Sequence, residues 1–341
     1  MLKVLTPIER RLNRYLTSEP GRQRLERTKR LVYETVRRVG GDEMADRVIA
    51  RWLRFLCSRP LAQRAIWPEA ADFLRQFATA FGLSPAETRE FVGLSLMGRQ
   101  WRAWRRLLKT PPELVARLTR VTGWEHFDRC RRDGAGLILL AFHGQFARRS
   151  VAYLRHRGHD SLTVGLPDHK LEEKGLRTPT AKRFELARQM HAAKHLLSRG
   201  GIVFNVPDAR QNLDNSRSVE FFGRQRRIAT GFAELALKTG AHVMPIAYRF
   251  SPRGFCVLDF GAPFHVLGPQ SSHEERIDSL VEQYASFLRA EWRRSPWDIH
   301  WYHLEYYCLL PEIDLDALGQ KANAPSPSEA RSGGAGEEFA R

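Results

Sequence analysis

The run Gly136 to Ser150, GLILLAFHGQFARRS, sets a histidine at the end of an apolar stretch. Gly136 to Phe142 reads as a buried strand and Ala147 to Arg155 as a helix, so the His143 imidazole falls at a strand's carboxyl end beside a helix N-terminus. In that place an imidazole can act as a general base, contributing on the order of 10²–10⁴ in rate. Farther along, GGIVFNVPDARQ ends a second strand at Val206 and sets Pro207 and Asp208 behind it. Phe221-Phe222-Gly223 comes next, then Arg224, Arg226 and Arg227, with Thr230-Gly231 opening a helix. A carboxylate and several guanidiniums near consecutive strand ends can form an anion-binding cleft. Plainer roles also fit these residues: a structural histidine, an aspartate closing a turn, and solvated arginines.

Other constellations point away from metal chemistry. His191 and His195 are spaced i, i+4 on a helix, but they lack the glutamate of a zinc-protease motif and an evident third ligand. His300 and His303 flank aromatic residues and are expected to pack or to line a rim. The four cysteines show no Cys-x-x-Cys spacing, which argues against a disulfide framework and a cysteine zinc site and suits a reducing cytosolic compartment. No metal is therefore expected.

The elements that position these residues come in two textures. The first hundred or so residues read as helices: Ile8, Leu12, Tyr15 and Leu16 share one face, and Met44, Val48, Trp52, Phe55 and Leu56 another. A further helix starts at Ser84, with Glu87 completing a capping box and Pro85 at the first helical position, and runs to about Leu108. Trp52, Trp101 and Trp104 beside arginines suit a lipid interface, or equally the packing of a helical layer. From about residue 121, short apolar runs alternate with helices: strands at 162–166, 202–206, 242–250 and 255–260, and helices at 181–198, 231–238 and 274–293. That alternation predicts an α/β layer architecture with active residues at strand ends.

The chain has 341 residues, a formal charge of +17, and 43% hydrophobic against 27% charged residues, as expected of a globular chain. Only nine of the 55 basic residues are lysine, so arginine, which grips phosphate and carboxylate with a planar fork, dominates. Nucleic acid and an anionic membrane surface both qualify as partners on charge alone. The arginines are spread along the chain rather than gathered in one stripe, and no zinc-finger, RNP or P-loop pattern accompanies them, which argues against nucleic acid. The longest apolar runs are about a third of a membrane span, and the Arg-rich first residues do not read as a secretory signal.

Taken together, the ordered blocks resemble the bacterial lipid A biosynthesis acyltransferases, the lauroyl and myristoyl type, within the lysophospholipid acyltransferase fold. The blocks run from Gly123-Trp124-Glu125 through the His143-Gly144 strand, Gly200-Gly201-Ile202-Val203, Asp208, the Phe-Phe-Gly turn, Ala229-Thr230-Gly231-Phe232 and Gly240 to Pro245, and close on Ser295 to Trp301. The resemblance implies an α/β fold in which a mixed central sheet is flanked by helices, with an N-terminal helical region. With the change of texture near residue 121, the chain is expected to divide into 1–120, helical, Arg-rich and membrane-proximal; 121–312, the acyltransferase-like core; and 313–341, a disordered tail, since Asn323 to Gly336 is rich in Ala, Pro, Ser and Gly. The resemblance further implies transfer of a fatty acyl group from an acyl carrier protein or coenzyme A thioester to a hydroxyl of a glycolipid or phospholipid, without a cofactor, at the cytoplasmic face of the bacterial inner membrane. The usual family layout has an amino-terminal membrane span that these apolar runs do not supply, so attachment is expected to be peripheral, through amphipathic helices and charge. An anionic membrane surface and a lipid acceptor are the expected partners, and the acidic face of an acyl carrier protein would also suit the arginines.

Within this resemblance His143 is the base, and Asp208 is a second catalytic candidate. Arg148, Arg149, Arg183, Phe221, Phe222, Arg224, Arg226, Arg227 and Thr230 are the expected substrate-binding residues. One position departs from the pattern. The family's motif places an acid five residues after the histidine, where this chain has Arg148. Losing the carboxylate that orients a catalytic histidine costs about 10⁴ in turnover in a Ser-His-Asp triad, roughly 5.5 kcal/mol of barrier. Asp168 and Asp208 are the candidates to replace it. If neither reaches His143, the chain is a degenerate homologue that binds lipid or membrane without turnover.

Overall fold

The computed structural model describes residues 19–107, 119–144, 147–164, 179–208, 215–251 and 256–309. The Ile8 to Leu16 stripe, Asp168 and the expected tail lie outside the described residues, as do the side chains of Trp104, Arg148 and Arg183.

Four helices lead. Helix α1 (Glu19–Ser58) is interrupted at Gly41, whose φ of 75° and ψ of 178° are not helical. Helices α2 (Pro60–Ile66) and α3 (Pro68–Ala80) each begin with a proline, whose missing N–H costs nothing in a first turn. Helix α4 (Pro85–Leu107) starts with the expected capping box: Glu87 N–H donates to Ser84 Oγ at 3.3 Å, and Ser84 N–H to Glu87 Oε2 at 2.8 Å. The middle of α4, Phe91 to Gly98, is buried because α1 and α3 both pack against it. Gly93 permits the close approach, since a Cβ there would meet the Cys57 carbonyl oxygen at 3.3 Å. Trp101, 2% exposed, then carries α4 onto the sheet, its ring 5.2 Å from that of Phe250.

The remainder alternates as expected: β1 (Thr119–Thr122), α5 (Trp124–Arg132), β2 (Leu137–Leu140), α6 (Arg148–His156), β3 (Ser161–Thr163), α7 (Pro179–Leu197) and β4 (Ile202–Asn205). Then come β5 (Ser216–Phe221), β6 (Arg224–Ala229), α8 (Gly231–Thr239), β7 (His242–Phe250), β8 (Cys256–Phe260), α9 (His273–Arg294) and the short α10 (Trp301–Leu304). Six strands form one mixed sheet in the order β1-β8-β7-β2-β4-β3, parallel except where β7 meets β8. The four residues of β2 are fully buried, which explains its unbroken apolar run between two parallel neighbours. Strands β5 and β6 form a separate antiparallel hairpin, Ser216 opposite Ala229 and Phe221 opposite Arg224. The sequence pattern marks only the Phe-Phe-Gly turn of this hairpin.

Register brings two strand ends level. Leu140 of β2 pairs with Asn205 of β4 in a parallel ladder, so the chain leaves both strands in the same direction at the same height. Residues 143 and 208 each come three positions later.

Candidate active site

Beyond β2 the chain stays pinned. Ala141 N–H donates to the Asn205 carbonyl at 3.0 Å, and the Ala141 carbonyl accepts the Tyr284 hydroxyl of α9 at 2.8 Å. At His143 a single carboxylate takes two donors from one residue: the backbone N–H gives to Asp208 Oδ2 at 3.0 Å, and the ring Nδ1 lies 2.7 Å from Asp208 Oδ1. Such a two-point contact fixes the ring's rotation as well as its position. The Asp208 side chain is 1% exposed and that of His143 is 36% exposed, so the carboxylate sits behind and the imidazole faces outward. Asp208 is held in turn by Tyr307, whose hydroxyl donates to its carbonyl at 3.2 Å. Ala229 N–H, donating to Pro207 O at 3.1 Å, anchors the hairpin just before it.

The closing segment completes the cage. His300 N–H donates to the His143 carbonyl at 3.0 Å, and Gly144 bridges Ile299. Asp298 fastens this segment to the sheet: both of its oxygens lie 3.1 Å from the Phe250 N–H, and burial pushes its carboxyl well above the usual carboxylate range. His303 then stacks face to face on His143, ring centroids 4.0 Å apart and planes 17° from parallel. It is 4% exposed, and burial pushes its ring down to about 4, so it stays neutral beside the dyad near pH 7.

Charge is arranged to keep Asp208 ionised. Burial alone would raise its carboxyl, but the charge and hydrogen bonds of His143 hold it below the ordinary aspartate value. Donor atoms of His143, Asp208 and His303 lie within 4.8 Å of one another, close enough to invite a metal reading. A metal ion must lie in the plane of each imidazole that binds it, and two rings stacked face to face cannot both meet that condition. His143 Nδ1 is moreover engaged by Asp208. The group fits a hydrogen-bonded dyad with a stacked neighbour. Thiol nucleophiles are poorly placed, since all four cysteines are buried and burial pushes Cys57 and Cys308 up to about 12.

The expected substrate-binding residues divide. Arg226 adjoins the site's rear wall: 2% exposed, it donates through Nε to the Tyr307 carbonyl at 3.1 Å. Phe221 is fully buried among Trp292, Tyr307 and Phe222, and Phe222 meets Phe81 edge-on at 4.6 Å. Arg227 Nε turns to Ser216 Oγ at 2.6 Å, and Thr230 Oγ1 donates to Asn215 O at 3.2 Å, both within the hairpin and its base. Arg224 is half-buried at the first position of β6. Arg149 lies over the Trp101 ring at 5.4 Å. Arg148 begins α6.

Sequence reasoning places His303 as a packing residue without its partner. Its aromatic neighbourhood hints at packing, but nothing local shows that the ring reaches His143. Tyr284 and Tyr307, the two phenols that brace the strand ends, carry no such signal. The family model for bacterial lipid A biosynthesis acyltransferases matches residues 51–305, roughly three quarters of the chain. No curated protein matches it.

Proposed function

Because the chain belongs to the bacterial lipid A biosynthesis acyltransferase family, we propose that it is an active acyltransferase in which His143 is the general base and Asp208 the carboxylate that orients it. The observation that carries this reading is the two-point contact of Asp208 with His143. It supplies from the neighbouring strand end the acid that Arg148 does not provide. The competing reading, a degenerate membrane- or lipid-binding homologue, rests on Arg148, and this contact weighs against it.

The chemistry follows from the arrangement. With the Nδ1 proton directed to the ionised Asp208, basicity resides at Nε2. Nε2 takes the proton of an acceptor hydroxyl as its oxygen bonds to the carbonyl carbon of an acyl thioester. The tetrahedral intermediate then expels the sulfur, the carbon–sulfur bond breaks, and the imidazolium returns its proton to the leaving thiolate. An ester and a free thiol result, with the enzyme unchanged. Asp208 stabilises the imidazolium throughout without taking the proton. Neutral His303, stacked on the ring, adds no competing charge.

The proposal extends to the partners: a thioester on acyl carrier protein or coenzyme A as donor, and a glycolipid or phospholipid hydroxyl as acceptor. It also places the protein peripherally on the cytoplasmic face of the inner membrane, held by arginines and apolar side chains against anionic lipid. Among the described residues no helix is long and apolar enough to cross a membrane. The test supplies purified protein with acyl donor and a lipid extract and follows acyl-lipid formation. Transfer that disappears in His143→Ala is expected. Transfer equal in the variant and the unsubstituted protein would remove His143 from the mechanism.

A further inference from the structure

Eight of the nine exposed large apolar side chains among the described residues lie between Leu31 and Leu61. Four of them, Met44, Val48, Trp52 and Phe55 of α1, are 41, 39, 44 and 58% exposed. Spacings of four, four and three residues place them within an arc of roughly 80° at 100° per residue. The other side of the same turns is core: Ala45, Ile49, Leu53 and Cys57 are at most 2% exposed. This part of α1 therefore has two apolar faces, one packed against protein and one exposed, and neighbouring exposed apolar side chains beside polar ones are the composition of a contact surface.

Charge beside the second face indicates what covers it. Arg47, Arg51, Arg54 and Arg59 are exposed, and the Arg59 guanidinium lies 4.6 Å over the Phe55 ring. The one acidic residue between Met44 and Arg59 is Asp46, and it is buried at 2% exposure. We propose that this face of α1 docks on an anionic lipid surface, with Trp52, Phe55, Met44 and Val48 entering the boundary between headgroups and acyl chains and the flanking arginines meeting lipid phosphates. A second copy of the chain would bring the same arginines against these across a two-fold axis, with no exposed acid on the stretch to receive them. The inference rests on the peripheral attachment proposed above. It adds the surface responsible, which straddles the start of the family match at residue 51.

Co-sedimentation of the full chain with vesicles tests it, using phosphatidylcholine alone and phosphatidylcholine mixed with phosphatidylglycerol. Arg51→Gln with Arg54→Gln is expected to weaken binding to the mixed vesicles roughly 25-fold at low salt, about five-fold per arginine, and to change binding to neutral vesicles little. Trp52→Ala with Phe55→Ala is expected to weaken binding to both compositions by about ten-fold or more. Leu186→Ala, an exposed apolar residue on α7, leaves binding unchanged. Met44→Ser with Val48→Ser carries the same expectation as the aromatic pair should that pair fail to fold. Unaltered sedimentation of the folded stripe variants overturns the proposal. So does a wild-type dimer that the aromatic substitutions dissociate while vesicle binding persists, which would assign the face to a second copy. Transfer to a detergent-dispersed acceptor, read in parallel, stays at the unsubstituted level in the stripe variants; its absence in every sample would sink the catalytic reading and leave the vesicle result standing.

Discussion

Two regions among the described residues reverse ordinary solvation in opposite senses. At the ends of β2 and β4 a carboxylate is buried and an imidazole half-buried, and both are held by phenols, backbone N–H groups and a second histidine. On α1 the reverse occurs: tryptophan, phenylalanine, methionine and valine stand in solvent beside arginines. A buried carboxylate costs several kcal/mol unless its hydrogen bonds are made, so the first arrangement must be rigid to exist at all. An exposed apolar stripe carries no such requirement, and on the proposal above it meets lipid. Trp101 and Trp52 show the contrast within one residue type: both follow the same helical spacing beside arginines, yet one is 2% and the other 44% exposed. What separates them is the company of their helices. Helix α4 runs between α1, α3 and the closing segment, whereas α1 is covered on one side of these turns.

The largest expected effect breaks the first region and spares the second. Asp208→Asn should lower turnover by about 10⁴, roughly 5.5 kcal/mol of barrier, because the amide can present a donor to Nδ1 and reverse the tautomer. Vesicle binding should remain unchanged in the same variant. A loss of less than ten-fold in turnover would mean that another group orients His143. Next in size is a stability contrast between the two tryptophans. Trp101→Ala is expected to cost about 3–5 kcal/mol by denaturant unfolding, as for a large side chain removed from a core, and Trp52→Ala no more than about 0.5 kcal/mol. Equal costs would show that the α1 face is packed in solution.

The sequence announces these regions unequally. Strands β2 and β4 are legible because strands between parallel neighbours are apolar almost throughout, and β7 because its middle, Val243 to Tyr248, is apolar. The β5–β6 hairpin is not, since Arg217, Glu220, Arg224, Arg226 and Arg227 hide its alternation. Arg226 is buried there with the Tyr307 carbonyl, far away in sequence, accepting a hydrogen bond from its Nε. At the site, Asp208 can be named as one of two candidates, because strand ends gather functional groups. Choosing it over Asp168 requires the pairing of Leu140 with Asn205, which is tertiary information. The same limit applies on α1, where spacing identifies Met44, Val48, Trp52 and Phe55 as a face but does not say whether protein covers it.

Acid distinguishes the two regions by a third, smaller effect. His303 titrates at about 4 in the folded protein, against roughly 6.5 for an ordinary histidine. Between those values the unfolded chain binds a proton that the folded chain refuses, so stability rises with pH. The contribution is fully present above about pH 6.5 and is lost as pH falls towards 4, reaching up to about 3 kcal/mol. Asp208, held below its ordinary value, adds a further loss only at still lower pH. Asp298, whose carboxyl burial holds well above its ordinary value, contributes in the opposite sense over the same interval, so the measurement compares variants: melting temperature should fall less from pH 6.5 to 4 in His303→Phe than in the unsubstituted protein. A guanidinium does not titrate in this interval, so vesicle binding by folded protein should stay level over it. An unaltered slope in His303→Phe would remove the stacked histidine from the account.

The smallest effect is expected where the sequence suggests the largest. Arg148 stands at the motif's acidic position, and on that ground Arg148→Glu would restore a crippled enzyme. Asp208 already receives both the ring and the backbone N–H of His143, leaving no second Nδ1 proton for a new carboxylate to bind. A glutamate at position 148 would add only through-space attraction for the imidazolium, with no hydrogen bond to Nδ1. Steady-state transfer by Arg148→Glu should thus lie within about five-fold of the unsubstituted protein, roughly 1 kcal/mol of barrier. A gain of a hundred-fold or more would invert the contrast between the two regions. The strand-end cage would then be the incomplete part of the molecule, and lipid attachment through α1 its intact activity.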